Sequence, residues 1–294
     1  MKPVSPPLPD RYAVLGHPVA HSQSPFIHAE FARQTGEALT YGRIESPLDA
    51  FAATVRGFIA SADPAAGLGP ARGCNITVPF KFQVLPLARR ASERAVLAQA
   101  ANVLRFDADG WFADNTDGTG LVRDIQQHAG RPLAGLRVLL IGAGGAAAGV
   151  LGPLIEAGCA AVTVANRTRD KAVELVQRHA GWADQHGVTL AATGLADAGT
   201  AFDVVINSSA SSLAGAGVPV AASVLKPGAL AIDLMYGPAA QPFLDWAQAH
   251  GATARDGLGM LVEQAAGAFE LWRGKMPDTP PVLAALRARL VAKA

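Results

Sequence analysis

An α/β fold in two domains is the architecture this sequence predicts, on three grounds. Its 294 residues are room for two domains of ~100–200 residues each. Half of them are hydrophobic and only 17% are charged, a balance that supports buried cores and argues against disorder. Short apolar runs alternate with amphipathic stretches along much of the chain, the pattern of crossover units on a parallel sheet.

The elements follow in order. Arg11–Gly16 is a strand, and Ser24-Pro25 supplies an N-cap and a first-turn proline for a helix running to about Thr35. Leu39–Ile44 is a second strand. Leu48–Ala60 is a helix with Phe51, Val55 and Phe58 on one face. Cys74–Val78 is a third strand, halted by Pro79. Ala101–Phe106 and Trp111–Ala113 flank Asp109-Gly110, a hairpin signal. A helix over Gly120–His128 leads to strand 136–141, helix 145–157, strand 161–165, helix 169–180 and strands 203–207 and 229–234. Segment 181–200 is poorly patterned. From Leu258 the pattern is helical, with Leu261, Val262, Ala265, Ala268, Phe269 and Trp272 sharing the face of Leu258. A last helix spans about Val282–Ala292.

Composition excludes some partners. A formal net charge of +1 provides no field for holding nucleic acid or an anionic membrane. Cys74 and Cys159, the two cysteines, are far apart and beside apolar segments, so buried free thiols are expected rather than a disulfide framework or a zinc site. The proline-rich start carries no apolar signal-like region, and a reducing cytoplasm is expected. Val138–Ile155 is long and uncharged enough to resemble a membrane span. Its glycines and Pro153 divide it instead into a buried strand, a tight turn and a helix.

That turn is Gly142-Ala143-Gly144-Gly145-Ala146-Ala147, a G-x-G-x-x-A pattern between strand and helix. The first glycine permits the turn, the second admits a pyrophosphate to the backbone, and the helix N-terminus stabilises the anion. After the next strand an NAD site would carry an acid for the ribose 2′-hydroxyl. The sequence has Asn166-Arg167-Thr168, with Lys171 one turn on. A guanidinium and a hydroxyl there suit the 2′-phosphate of NADP.

Other polar groups keep two readings. Ser22 and Ser24 can bind a carboxylate or polyol, or Ser24 can cap its helix. His17, His21 and His28 lack neighbouring acidic or thiolate ligands, so no metal site is expected. Asn75 and Thr77 alternate with apolar neighbours and share a strand face. Lys81, after the proline break, is a proton carrier if it borders a cleft and a solvated residue otherwise. Asp114-Asn115-Thr116-Asp117-Gly118 reads as a helix-capping loop or as two acids able to orient a lysine.

HSQSP (21–25), NITVPFK (75–81), DNTDG (114–118), GAGGAA (142–147), NRT (166–168), DLMYGP (233–238) and DGLGMLVEQAA (256–266) together resemble the shikimate dehydrogenase family, in the family's order and across nearly the whole chain. The resemblance implies reversible NADPH-dependent reduction of 3-dehydroshikimate to shikimate, in the route to chorismate and the aromatic amino acids. It implies Lys81 as the catalytic proton carrier with Asp117 as its partner, and Ser22 and Ser24 on the substrate carboxylate. Asn75, Thr77, Asn102, Tyr236 and Gln264 match further substrate positions. Gly142, Ala143, Gly144, Gly145, Ala146, Ala147, Asn166, Arg167, Thr168 and Lys171 match the NADP site, and Asn207, Met235 and Gly257 its nicotinamide end. Two departures stand out. Ala101-Asn102-Val103 replaces the family's usual Val-Asn-Thr, removing a hydroxyl beside the asparagine. The 207–213 segment lacks a glycine often found there.

The expected arrangement is a substrate domain of residues 1–117, rejoined by C-terminal helices from 257–294, and a Rossmann-type NADP domain of 118–256. Substrate and nicotinamide are expected to meet in a cleft between them. No metal, nucleic acid or membrane is implied, and the chain is expected to be a monomer or homodimer. Two alternatives are a quinate/shikimate dehydrogenase of broader substrate or NAD use, and a catalytically silent sensor of the same ligands.

Overall fold

The apolar run after Asp10 forms the first strand of a mixed sheet, β1 (Asp10–Gly16), whose last five residues are buried. The structure, a computed structural model, describes residues 8–209 and 218–292. It divides into two units: Met1–Thr116 with Ala265–Leu286, and Asp117–Gln264 with Arg287–Ala294. The return to the first unit thus begins later than Gly257, and the chain from Arg287 counts with the second unit. Arg287 is held there by Asp256, through bonds of 2.7 and 3.1 Å.

In the first unit β1 is followed by α1 (Ser24–Thr35), β2 (Leu39–Glu45), α2 (Phe51–Ala60) and β3 (Ala71–Ile76). After two short 3₁₀ turns come β4 (Arg90–Ala91), α3 (Glu93–Ala98), β5 (Val103–Arg105) and β6 (Phe112–Asp114). The six-stranded order is β2-β1-β3-β5-β6-β4. β1 runs parallel to β2 and β3, whereas β5 is antiparallel to β3 and β6. The β5–β6 hairpin is the one that Asp109-Gly110 signals, with Gly110 at φ +123°. Leu15, Cys74, Ile76, Phe80, Leu104 and Phe51 pack in one core with Val55. Val103 is fully buried in β5, next to buried Asn102.

In the second unit α4 (Asp117–Arg123) widens into a π turn over Asp124–His128. β7 (Arg137–Ile141), α5 (Gly145–Glu156), β8 (Ala161–Ala165), α6 (Arg169–His186), β9 (Thr189–Thr193), β10 (Phe202–Asn207), β11 (Leu225–Asp233), α7 (Gln241–Ala249) and β12 (Thr253–Arg255) follow. The sheet is six-stranded in the order β12-β11-β10-β7-β8-β9, with every pairing parallel. Buried on both faces, the centres of β7 (Val138–Ile141) and β10 (Val204–Ile206) are continuous apolar runs. The stretch resembling a membrane span is β7, a turn and α5. Among the described residues no helix is long and apolar enough to cross a membrane. Two helices complete the chain, α8 (Leu258–Arg273) and α9 (Thr279–Val291).

Several boundaries differ from expectation for local reasons. β3 stops at Ile76 because Pro79 follows, in a cis Val78-Pro79 bond. α2 begins at Phe51, a turn later than Leu48, after Pro47 accepts a bond from Ala50. α6 continues to His186 until Gly187 adopts a left-handed cap at φ 67°. Ser24 is the first helical residue of α1 and not its N-cap. Gln23 occupies that position without a side-chain cap bond.

Candidate active site

The first unit gathers polar side chains where β1, β2, β3 and β5 lie side by side. Ser24 is buried, and Ser22 Oγ lies 3.2 Å from Ser24 Oγ. Arg43 Nη2 and Nε on β2 both donate to the Ser22 carbonyl, at 2.5 and 2.9 Å, which fixes the serine loop against the sheet. On β3, Asn75 is buried; its Oδ1 accepts from the Tyr41 hydroxyl at 2.6 Å and its Nδ2 donates to the Asn102 carbonyl at 3.2 Å. Asn102 Oδ1 accepts from the Thr116 amide at 2.8 Å. Thr77 continues past the strand end, its amide bonded to the Leu15 carbonyl at 2.9 Å. The methyl of Thr77 fills the space that a side chain on Gly16 would need. Lys81 is half-buried in the turn after Pro79, and its carbonyl accepts from Ala101 at 3.0 Å, next to Asn102. Ser22, Ser24, Asn75, Thr77, Lys81 and Asn102 therefore belong to one unit.

The two acids of the 114–118 loop separate. Asp114 is buried and receives both Arg94 Nε and Nη2 at 2.7 and 2.6 Å, as well as the Ser92 hydroxyl and the Asn115 amide. It is a structural anchor. Asp117 is buried as the first residue of α4 in the second unit, where a carboxylate complements the helix dipole.

In the second unit the strand order reverses between β7 and β10, the place where parallel sheets of this kind bind ligands beyond their strand ends. Gly142 leaves β7 at φ +111°, and a Cβ there would meet Ser208 Oγ at 2.7 Å. Gly144 is different. Its backbone is extended, a conformation open to any residue, and a Cβ would meet no atom of the chain. Its glycine is therefore not demanded by packing; it leaves the opening of α5 clear. No side chain caps α5 and no acid lies in its first turn, so the amides following Gly144 are available to an anion. Ala147 is fully buried. A dinucleotide pyrophosphate fits this turn.

Past β8, Asn166 Nδ2 donates to the Thr168 carbonyl at 2.8 Å, shaping the loop that exposes Arg167 and Thr168. Lys171 is exposed one turn into α6. At the ends of β10 and β11, Asn207 Nδ2 donates to Asp233 Oδ2 at 2.8 Å, while Asp233 Oδ1 accepts from the Met235 amide at 2.8 Å. Asn207 Oδ1 accepts from Ser209. The Asn207 side chain thus braces two loops, and Asp233 is a partner that single-residue reasoning passed over. Gly257 packs on the Leu234 backbone and donates to Met235 at 2.8 Å. Tyr236 is half-buried; Gln264 on α8 is nearly buried, with Nε2 on the Leu261 carbonyl at 2.9 Å. Residues 210–213 of the glycine-poor segment lie outside the described residues.

Supporting pairs were invisible in the sequence. Asp124 is wholly buried against Arg255, and His128 Nε2 meets Glu263 Oε1 at 2.7 Å. Burial pushes the free thiol of Cys159 up to about 11 and that of Cys74 higher still, so neither is a nucleophile at neutral pH. No metal-holding group of His, Cys, Asp or Glu occurs among the described residues.

A parallel sheet of this order with a bare, glycine-opened helix at its switch point defines a dinucleotide-binding α/β protein, here accompanied by a second α/β unit lined with buried amides and hydroxyls. The comparisons with known proteins narrow the class. Family models for the shikimate dehydrogenase substrate binding domain, shikimate/quinate 5-dehydrogenase and the shikimate 5'-dehydrogenase C-terminal domain match residues 14–104, 124–233 and 257–287. The Shikimate dehydrogenase (NADP(+)) of Methylibium petroleiphilum is 66% identical over 95% of this chain and 94% of its own. Among solved structures, an Ael1 enzyme from Pseudomonas putida superposes with a TM-score of 0.82 at 44% identity, covering 94% of this chain and 98% of that one. Shikimate 5-dehydrogenase from Thermus thermophilus, in complex with NADP(H) and shikimate, has a TM-score of 0.78 at 31% identity, covering 95% and 99%. This chain belongs to the shikimate dehydrogenase family.

Proposed function

We propose that this chain interconverts 3-dehydroshikimate and shikimate with NADP(H), in the route to chorismate. The observation that carries this reading is 66% identity, along 95% of the chain, to a relative named for that activity and cofactor. The local geometry supports it. The amides after Gly144 and the small residues of 142–147 hold the pyrophosphate; Asn166, Arg167, Thr168 and Lys171 hold the 2′-phosphate, Arg167 as a forked donor. Asn207, Met235 and Gly257 shape the nicotinamide end. NADP(H), when bound, supplies or takes the hydride.

The chain's own residues handle the proton and the substrate's position. Ser22 and Ser24 hold the carboxylate, and Asn75, Thr77, Asn102, Tyr236 and Gln264 hold the hydroxyls and ring. In the oxidative direction Lys81 Nζ, neutral, takes the proton of the reacting hydroxyl; in reduction the ammonium returns it. Asp117 stabilises and orients that ammonium. On this reading the unit of residues 1–116 with 265–286 carries the substrate residues from Ser22 to Asn102, and the unit of 117–264 carries the cofactor residues. The enzyme works in the cytoplasm on a small anion, as a monomer or homodimer, without nucleic acid or membrane.

The test is nicotinamide absorbance with shikimate or quinate, each against NADP or NAD. Turnover with shikimate and NADP should exceed the other three combinations. Equal rates with quinate favour the broader enzyme. Measurable shikimate binding with no turnover in any combination identifies a sensor.

A further inference from the structure

Asn75 is held from two sides, and the chemistry of its neighbours leaves one arrangement. The Asn102 carbonyl can only accept, so Asn75 must turn its Nδ2 toward it, at 3.2 Å. Asn75 Oδ1 then faces Tyr41 at 2.6 Å, and because an amide oxygen can only accept, the phenol donates. The carboxamide is planar, so both bonds together fix the direction of its second N–H. His28 supports the phenol from behind: the two rings stack at 4.2 Å and 6°. His28 is wholly buried, neither ring nitrogen has a hydrogen-bond partner, and burial holds its pKa down to about 3, with a smaller opposing influence of Asn75. At neutral pH it is an uncharged platform.

We propose that Tyr41 is a positioning residue for substrate, acting through Asn75: its hydroxyl locks the asparagine amide in the orientation that presents an N–H to a substrate hydroxyl. This rests on Asn75 being a substrate residue. Without the phenolic proton, Asn75 Oδ1 loses its donor and the amide is free to rotate away from the Asn102 carbonyl. The loss falls on binding rather than on the proton or hydride transfer.

The test is a double-mutant cycle of Tyr41→Phe and Asn75→Ala. Tyr41→Phe keeps the ring that stacks on His28 and removes only the hydroxyl. It should raise KM for shikimate about tenfold, the loss of roughly one hydrogen bond, with kcat and KM for NADP within about twofold. In the Asn75→Ala background the same substitution should change KM by less than about twofold, because its target is gone. Placing p-aminophenylalanine at position 41 restores a donor and should restore KM, whereas p-fluorophenylalanine should not. That pair also makes the comparison if the phenylalanine variant does not fold. An unchanged KM in Tyr41→Phe, beside a raised KM in Asn75→Ala, overturns the role of Tyr41 alone. An unchanged KM in Asn75→Ala removes Asn75 from the substrate site and overturns the positioning with it. Effects that multiply in the double variant show that Tyr41 does not act through Asn75, which also overturns it.

Discussion

The two units present their polar groups in opposite ways. In the first, Ser24, Asn75 and Asn102 are buried and already engaged with partners of the chain. In the second, the groups proposed for the cofactor are backbone amides left uncapped at α5, and exposed side chains such as Arg167 and Lys171. Buried, bonded amides hold one geometry and are costly to disturb; exposed cations on a loop offer affinity with little consequence for folding. Substitutions should therefore separate: in the first unit stability and binding fall together, in the second affinity falls alone.

Lys81→Ala is the sharpest departure from that rule, since a proton carrier affects rate more than either property. A loss of about 10²–10⁴ in kcat is expected, with the melting temperature unchanged; near-normal turnover would exclude Lys81 as the acid–base group. Asp114→Ala removes a buried carboxylate from its pair with half-buried Arg94 and from the Ser92 hydroxyl and Asn115 amide. Destabilisation of about 3 kcal/mol is expected in urea titration, and a silent variant would break the contrast between the units. Arg167→Ala should weaken NADP about tenfold and leave NAD nearly unaffected and the midpoint of unfolding unchanged. Equal losses for the two cofactors would refute the 2′-phosphate assignment.

A further effect is graded with pH. His28 has its pKa lowered from 6.5 to about 3 by burial, so between those values the unfolded chain binds a proton that the folded chain refuses. Stability should fall as pH drops below about 6.5, by up to about 1.4 kcal/mol per unit for this group, and level off near 3. His179, also lowered by burial, adds in the same direction. His28→Gln should flatten the slope measured by unfolding between pH 6.5 and 4.5; an unaltered slope would place its origin elsewhere.

Much of this was legible in the sequence, for identifiable reasons. The change from a period-2 apolar run to a glycine turn and helix marks β7 and α5 locally, and Asp109-Gly110 marks its hairpin. β9 was not legible, because a short edge strand with half-exposed residues alternates too weakly. α7 and β12 escaped for a similar reason, each being brief. At the site, residue types and order pointed to Lys81, Asn75 and Gly144. What separates Asp114 from Asp117 could not be read: the partner Arg94 is brought to Asp114 only when α3 packs beside β6. The Asn207–Asp233 bond likewise exists only because β10 and β11 are neighbours in register.

Among the described residues β2 ends the first sheet on one side, hydrogen-bonded to β1 alone. A seven-residue edge is a template on which another chain can add a strand. Its sequence, Leu39-Thr-Tyr-Gly-Arg-Ile-Glu45, breaks that template with Gly42 and the charges of Arg43 and Glu45. Arg43 thus places a charge on that edge from the same strand on which it clamps the Ser22 carbonyl. Loss of that one guanidinium would register in refolding yield and aggregation as well as in the serine loop.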